Sequence, residues 1–216
     1  MVEVLEFKLA VYKDGLYSAE IWAIDGSERE TIELFLEIPL LKAMELFVPR
    51  GTLDYLAYVF VDFLPHQQLT FATDGIAAFL ANSYRHTKSS IVDVAVPIPI
   101  KLIRQIKKKK KGTLTLQAPA FPMTVHPNLF ETVSMLATKD PTGEPAQYDC
   151  EYLANFQRAA DLLDIGRPYI HYNGPERAAL ITFEGSEDYI GVIMPWRFVE
   201  APSIPGWLEF LSRKRG

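Results

Sequence analysis

The sequence LTFATDGIAAFL, residues 69–80, lies within a segment rich in strand-favouring residues. We predict strands over 68–72 and 77–84, preceded by another strand over 56–63. A short helix is predicted over 39–48, because a proline suits its first turn and an apolar stripe follows. A helix followed by strands is therefore the first unit of the fold.

The first 37 residues predict three more strands, which are separated by the turn signals Lys13-Asp14-Gly15 and Asp25-Gly26. This succession is typical of a β-meander, and the sequence leaves open how the meander joins the rest of the chain. The predicted strands cover residues 3–12, 16–24 and 30–37.

After a strand over 91–96, Pro97 or Pro99 can open a helix that we predict over 97–111. Gly112 ends this helix, and a strand follows over 113–117. Prolines at 119, 122 and 127 cannot donate to a strand ladder, so residues 119–127 are expected to form an extended linker between domains.

The chain is accordingly divided into an N-terminal domain, a proline-rich linker, a C-terminal domain and a tail. Their ranges are 1–118, 119–127, 128–198 and 199–216. In the C-terminal domain we expect helices over 128–137 and 151–164, then strands over 168–172, 178–183 and 189–194. A strand, a short helix and further strands thus recur along an α+β chain.

Composition narrows the class of protein. The chain has 216 residues, 49% of them hydrophobic, which is enough for a sizeable core. Cys150 is the only cysteine, so an internal disulfide is excluded and a reducing compartment is expected. Without a signal-like start or a long apolar run, we expect a soluble, cytoplasmic protein that does not enter a membrane.

The net charge of −5 argues against general affinity for nucleic acid, yet the positive charges are concentrated locally. Lys101, Arg104, Lys108 and Lys111 are spaced by three, four and three residues, which places them on one face of the predicted helix. Leu102, Ile103 and Ile106 would face a sheet. An ordinary solvated face is the alternative for this pattern.

Several stretches together resemble the bacterial β sliding clamp, over roughly residues 39–198. They are Leu69-Thr70-Phe71-Ala72-Thr73-Asp74-Gly75, Val94-Ala95-Val96-Pro97, Phe121-Pro122 with Pro127, Tyr148 to Leu153, and Tyr189-Ile190-Gly191-Val192-Ile193-Met194-Pro195-Trp196-Arg197. Two departures are evident. Trp196 replaces a more usual methionine, and Ile76-Ala77-Ala78 replaces a sequence similar to His-Arg-Leu.

The resemblance implies the processivity fold of DNA clamps, with antiparallel sheets and short helices on one face. It implies about two clamp-type domains in this chain, where the bacterial members have three. A homo-oligomeric ring, a dimer or a trimer, would then encircle double-stranded DNA and tether a polymerase without catalysis or a cofactor. The expected DNA-binding residues are Lys42, Lys101, Arg104, Lys107, Lys108, Lys111 and Arg158.

The resemblance also implies an apolar pocket that receives peptides of DNA polymerase and the clamp loader. Its expected residues are Thr73, Gly75, Pro122, Leu180, Val192, Met194, Pro195 and Trp196. For Leu180 and Val192, ordinary core packing is the stronger alternative. Met194 and Trp196 are better candidates, because adaptable and aromatic side chains suit peptide-binding surfaces.

Two other functions remain open. A clamp-fold adaptor that never closes a ring could bind replication or repair proteins. A hydrolase could pair Cys150 with His126 or His171, although no signature turn surrounds the thiol. The four histidines lack the short spacing of helical metal ligands, and no glycine-rich phosphate loop is present, so neither a metal site nor a nucleotide site is expected.

Overall fold

The computed structural model describes residues 5–11, 17–25, 28–50, 56–65, 67–84, 92–106, 111–122 and 141–196. Within these ranges the chain forms twelve strands and three helices. The helices are α1 (Ile38–Glu45), α2 (Ile100–Gln105) and α3 (Cys150–Leu163). The strands are β1 (Leu5–Val11), β2 (Tyr17–Ala23), β3 (Thr31–Glu37), β4 (Tyr58–Phe63), β5 (Gln67–Thr73), β6 (Ala77–Tyr84), β7 (Val94–Pro99), β8 (Thr113–Pro119), β9 (Phe121–Pro122), β10 (Pro168–His171), β11 (Ala179–Phe183) and β12 (Ser186–Ile193).

These strands form two sheets. The first has four strands in the order β1-β2-β8-β3, and the second has eight in the order β10-β11-β12-β6-β5-β4-β7-β9. Every pairing between described strands is antiparallel except that of β2 with β8. The predicted α+β class, with antiparallel sheets and short helices, is confirmed.

The predicted β-meander over the first 37 residues is wrong. β1 and β2 pair as expected, but β8 lies between β2 and β3 and runs parallel to β2. The burial pattern explains the pairing of β3 with β8, because Leu34 lies opposite Leu116 and both strands bury alternate side chains. β8 has an apolar face that matches that of β3, so β3 pairs with β8 rather than with β2, which is closer in sequence.

The helix predicted over 97–111 is shorter, since α2 covers only Ile100–Gln105. Pro97 and Pro99 belong to β7, at positions whose missing N–H would point away from β4. Ile106 N donates to Ile103 O at 3.1 Å, a tight turn that ends the helix. Residues 107–110 lie outside the described ranges.

One hydrophobic core includes residues of both sheets and all three helices. Phe47, just after α1, is fully buried and contacts the rings of Phe79 and Phe156, with centroid distances of 5.3 and 4.7 Å. A Cβ atom at Gly191 would collide with the Phe156 ring, so glycine lets α3 approach β12 closely. These contacts fix α1, α3 and the centre of the large sheet together.

A structural repeat organises the large sheet. α1 is followed by the antiparallel strands β4, β5 and β6, and α3 is followed by β10, β11 and β12. The last strands of the two units pair with each other, with Leu80 opposite Ile190. Because this pairing is antiparallel, a local two-fold axis relates the two units approximately.

The predicted domain division at 119–127 remains a prediction, and the large sheet continues across it through the pairing of β6 with β12. Only 119–122 of that linker is described. The predicted helix over 128–137 and the tail over 199–216 lie outside the described residues.

Candidate functional site

The turn between β5 and β6 is fixed by side chains of the Thr73-Asp74-Gly75 motif. Asp74 Oδ1 accepts hydrogen bonds from the backbone N–H groups of Ile76 and Ala77, both at 2.9 Å. Thr73 Oγ1 donates to Ala77 O at 2.9 Å and accepts from Gly75 N at 3.0 Å. Gly75 has φ +91°, which favours glycine. The motif is therefore a rigid support for whatever packs against it.

The end of β12 meets this turn. Met194 N donates to Ile76 O at 2.8 Å, and Trp196 N donates to Gln147 O at 2.7 Å. The side chains of Ile76, Met194 and Trp196 are 48%, 37% and 51% exposed. We call these three residues the apolar patch. Exposed large apolar groups beside a fixed turn are suited to docking a partner.

Three of the predicted pocket residues share one row of the large sheet. Thr73 lies opposite Ala78, Ala78 opposite Val192, and Val192 opposite Leu180. Directly opposed residues project to the same face, so this row links the β5 turn to β11. Thr73 and Val192 are buried, which makes them a floor rather than a contact surface, whereas Leu180 is half-buried.

Pro122 does not lie with the other predicted pocket residues. It belongs to β9 and pairs with Val94, at the edge of the large sheet. β7, β4, β5 and β6 lie between β9 and β12. A proline with no N–H is tolerated at such an edge. Pro122 therefore lies apart from the other residues predicted for the pocket.

Tyr152 and Asp74 form a connection that sequence reasoning missed. Tyr152 lies in the first turn of α3, and its hydroxyl donates a hydrogen bond to the Asp74 carboxylate. Burial raises the pKa of Tyr152 well above its usual value, and the bond to Asp74 raises it further. Asp149 begins α3 by accepting from Glu151 N at 2.8 Å. Only the Asp149 cap could have been found from sequence, as an acidic residue just before a helix.

The predicted DNA-binding residues that the structure describes lie on or near the three helices, and α1 packs against both α2 and α3. Lys101 on α2 and Arg158 on α3 are exposed, and Lys42 on α1 is half-buried. Lys111 is exposed just before β8. Lys107 and Lys108 lie outside the described residues. The three helices therefore carry four of these basic residues: Lys42 on α1, Lys101 and Arg104 on α2, and Arg158 on α3.

Acidic side chains offset part of this positive charge. Arg104 Nε donates to Glu45 Oε1 at 3.1 Å, and Arg50 forms an exposed ion pair of 2.9 Å with Glu151. Arg158 Nη1 donates to Asn155 Oδ1 at 3.3 Å, a neutral partner that leaves its charge intact. Among the described residues, Lys101 and Arg158 therefore leave positive charge exposed on the helices.

Cys150 and His171, two of the residues considered for catalysis, lie on different elements. Cys150 is exposed at the start of α3. His171 lies on β10, where its Nε2 is 2.8 Å from Thr182 Oγ1. His126 lies outside the described residues. Among the residues that the structure describes, no group of three or more His, Cys, Asp or Glu side chains could hold a metal ion, and no helix there is long and apolar enough to cross a membrane.

The fold is that of the DNA sliding clamps, and the comparisons with solved structures support this class. The DNA polymerase III subunit beta of Borrelia burgdorferi superposes with a TM-score of 0.56 at 8% identity, over 82% of this chain and 68% of that one. The Pseudomonas aeruginosa sliding clamp superposes with a TM-score of 0.52 at 12% identity, over 82% of this chain and 68% of that one. The Caulobacter crescentus sliding clamp superposes with a TM-score of 0.51 at 14% identity, over 88% of this chain and 76% of that one.

Sequence comparison gives no support of its own. No protein-family model matches the chain, and no curated protein matches it. The likeness to sliding clamps is therefore one of fold, and it confirms the class to which the sequence motifs pointed.

Proposed function

We propose that this protein is a DNA sliding clamp, a processivity factor whose copies form a ring around duplex DNA and tether a polymerase. The observation that carries the proposal is the joint between β6 and β12, where two units of one helix and three strands continue a single sheet. Rings arise when the same kind of joint is repeated between copies. Tethering of this kind needs neither a cofactor nor catalysis.

The outer strands of the two sheets are suited to forming the joints of a ring. Within the described ranges, β1 is an edge of the small sheet and β10 is an edge of the large one. Edge strands present N–H and C=O groups that can pair with another chain. A dimer or trimer joined at such edges would supply the circumference that one chain of this length lacks.

The helix surface would face the DNA. Lys42, Lys101 and Arg158 supply positive charge there, and Lys107, Lys108 and Lys111 add to it in the sequence after α2. The protein as a whole carries a net charge of −5. A modest local attraction on an acidic body suits sliding, because few phosphate contacts are made and none reads the bases.

Polymerase and clamp-loader peptides would dock at the apolar patch. Thr73, Gly75, Leu180, Val192 and Pro195 support or flank its exposed side chains. Met194 and Trp196 would supply most of the contact, since they are exposed and large.

We infer that the protein acts in the cytoplasm.

Retention on circular DNA tests the ring. The protein is incubated with nicked circular plasmid, washed in high salt, and measured again after the plasmid is linearised. A closed ring stays on the circle in salt and leaves after linearisation, because its hold is topological. The double variant Lys101→Glu with Arg158→Glu should load more slowly, whereas Arg177→Glu, exposed on the connection from β10 to β11, is the matched control.

Light scattering on a sizing column gives the second readout. A discrete dimer or trimer is expected. A chain that stays monomeric at high concentration and leaves circular and linear DNA alike would refute the ring.

A clamp-fold adaptor that does not close a ring is the second candidate. The ion pairs of Arg104 with Glu45 and of Arg50 with Glu151 favour it, because they reduce the positive charge available to DNA. This candidate predicts a monomer that still binds polymerase or repair peptides at the apolar patch.

A further inference from the structure

A groove lies at the opposite end of β12 from the apolar patch. It runs between β3 and the ends of β4, β5, β6 and β12, and has a volume of about 420 Å³. We call it the β3 groove. Its walls include Glu33, Phe35, Glu37, Phe63, Asn82 and Tyr189. About five residues of β12 separate Tyr189 from Met194, so the two surfaces are roughly 17 Å apart.

The backbone of β3 presents to this groove hydrogen-bonding groups that β8 does not use. Ile38 N donates to Gly112 O, and Ala120 N donates to Glu30 O, so the even-numbered residues of β3 exchange hydrogen bonds with β8. The N–H groups of Glu33, Phe35 and Glu37 therefore point the other way. Within the described part of the chain, β8 is the only strand that pairs with β3.

The groove is acidic on both sides. Glu33 and Glu37 project from β3, and Asp188 lies on the opposite wall in β12. Burial raises the pKa of Tyr189, and the charges of Glu37 and Asp188 raise it further, which places both carboxylates near the same phenol. Asn82 Oδ1 is buried and has no hydrogen-bond partner among the residues that the structure describes. An occupant that brings cations and N–H donors would satisfy these groups.

The floor between the acidic walls is apolar. Phe63 and Ala81 are buried there, and Leu40 and Tyr189 border them. An extended strand places alternate side chains on opposite faces, so one set could meet this floor while the other meets the carboxylates. Nucleic acid fits poorly, because its phosphates would be repelled by Glu33, Glu37 and Asp188.

We propose that the β3 groove binds an extended segment of a partner protein, added as a strand on β3, with Lys or Arg opposite Glu33 and Glu37 and aliphatic residues between them. This interaction surface lies at the edge of the small sheet opposite β1 and does not include the residues of the apolar patch. Strand addition supplies affinity through backbone hydrogen bonds and specificity through alternate side chains.

The probe is a fluorescent capped peptide, Ser-Lys-Val-Thr-Val-Lys-Ser, and its control replaces both lysines by glutamate. Polarisation titrations with the full chain should show binding of the first peptide only. Phe35→Pro removes an N–H that β8 does not use, so binding should fall about fivefold, for one hydrogen bond. Phe35→Ala keeps the N–H, so its affinity for the peptide should fall less. Equal affinities for the two variants would overturn strand addition.

The charge test uses Glu33→Lys with Glu37→Lys, which should weaken the lysine peptide roughly tenfold and admit the glutamate peptide. Glu20→Lys, exposed on β2 and not part of the groove wall, is the matched control. If Phe35→Pro does not fold, hydrogen exchange on the wild type tests strand addition instead. The amides of Glu33, Phe35 and Glu37 should slow when the lysine peptide binds, and unchanged exchange would refute the proposal.

Two other occupants would also overturn the proposal. Tighter binding of the lysine peptide after Arg213, Lys214 and Arg215 are replaced by Gln would assign the groove to the chain's own C-terminal residues. A molar mass that falls when the lysine peptide is added would assign it to a second copy.

Discussion

Tyr152 connects the two helix-and-strand units through one hydrogen bond, because it belongs to α3 and its acceptor Asp74 belongs to the turn after β5. We expect Tyr152→Phe to lower the free energy of unfolding by about 1 kcal/mol, the net value of a typical hydrogen bond. Urea denaturation measures this change. Leu153→Ala, also half-buried in α3, changes packing without touching Asp74 and serves as the control.

Alkaline pH should remove this contribution. The pKa of Tyr152 in the folded protein lies above the ordinary value of 10.0 that it takes when unfolded. Below about pH 10 both states keep the proton, so the contribution is fully present. As pH rises further, the unfolded chain loses the proton first and folding is disfavoured. The stability difference between wild type and Tyr152→Phe should therefore shrink above pH 10, and a constant difference would contradict the assignment.

Residue types in the sequence predict candidate side chains, but they do not predict the long-range partners of those side chains. The exposed Met194 and Trp196 were predicted from their chemistry, and the Thr73-Asp74-Gly75 motif does form a fixed turn. The partner of Arg104 could not be predicted, because Glu45 lies 59 residues away and is brought near only when α1 packs on α2. Helical spacing fixes a face but gives no information about the carboxylates opposite it.

β7 illustrates how prolines are accommodated within a strand. Val96 pairs with Val61 at a position where both N–H groups are used, whereas Pro97 lies at a position that leaves its nitrogen without a partner strand. Val96→Pro should therefore cost about 3 kcal/mol or more, and Pro97→Ala less than about 1 kcal/mol. Val96→Ala measures the loss of the side chain alone. If Val96→Pro and Pro97→Ala lowered the free energy of unfolding equally in urea denaturation, this register would be contradicted.

Most elements could be predicted from the sequence because their signals are local. The alternation of β3 and the stripe of α3 depend on residues that are near neighbours in the chain. The place of β8 between β2 and β3 depends instead on pairings between residues 76 to 97 positions apart, which no local pattern encodes. The length of α2 was overestimated for a related reason, since Gly112 O must reach Ile38 N at the start of α1.

At the scale of the whole molecule, the joint between β6 and β12 makes the two units mutually dependent. Neither unit has a core of its own, because Phe47 from the first packs against Phe156 from the second, and the same cluster extends into the small sheet. A sheet shared in this way transmits loss of structure from one unit to the other. The fold should therefore behave as one cooperative body despite its internal repeat.

Tryptophan fluorescence can test that cooperativity. Trp22 lies on β2 in the small sheet, and Trp196 follows β12 in the large one. Two variants, each retaining one of these residues while the other and Trp207 become Phe, report on the two sheets separately. We expect their urea midpoints and that of far-UV circular dichroism to coincide, because one core joins the sheets. Well-separated midpoints, with the Trp22 signal lost first, would mean that β1, β2, β3 and β8 unfold independently of the clamp-type sheet.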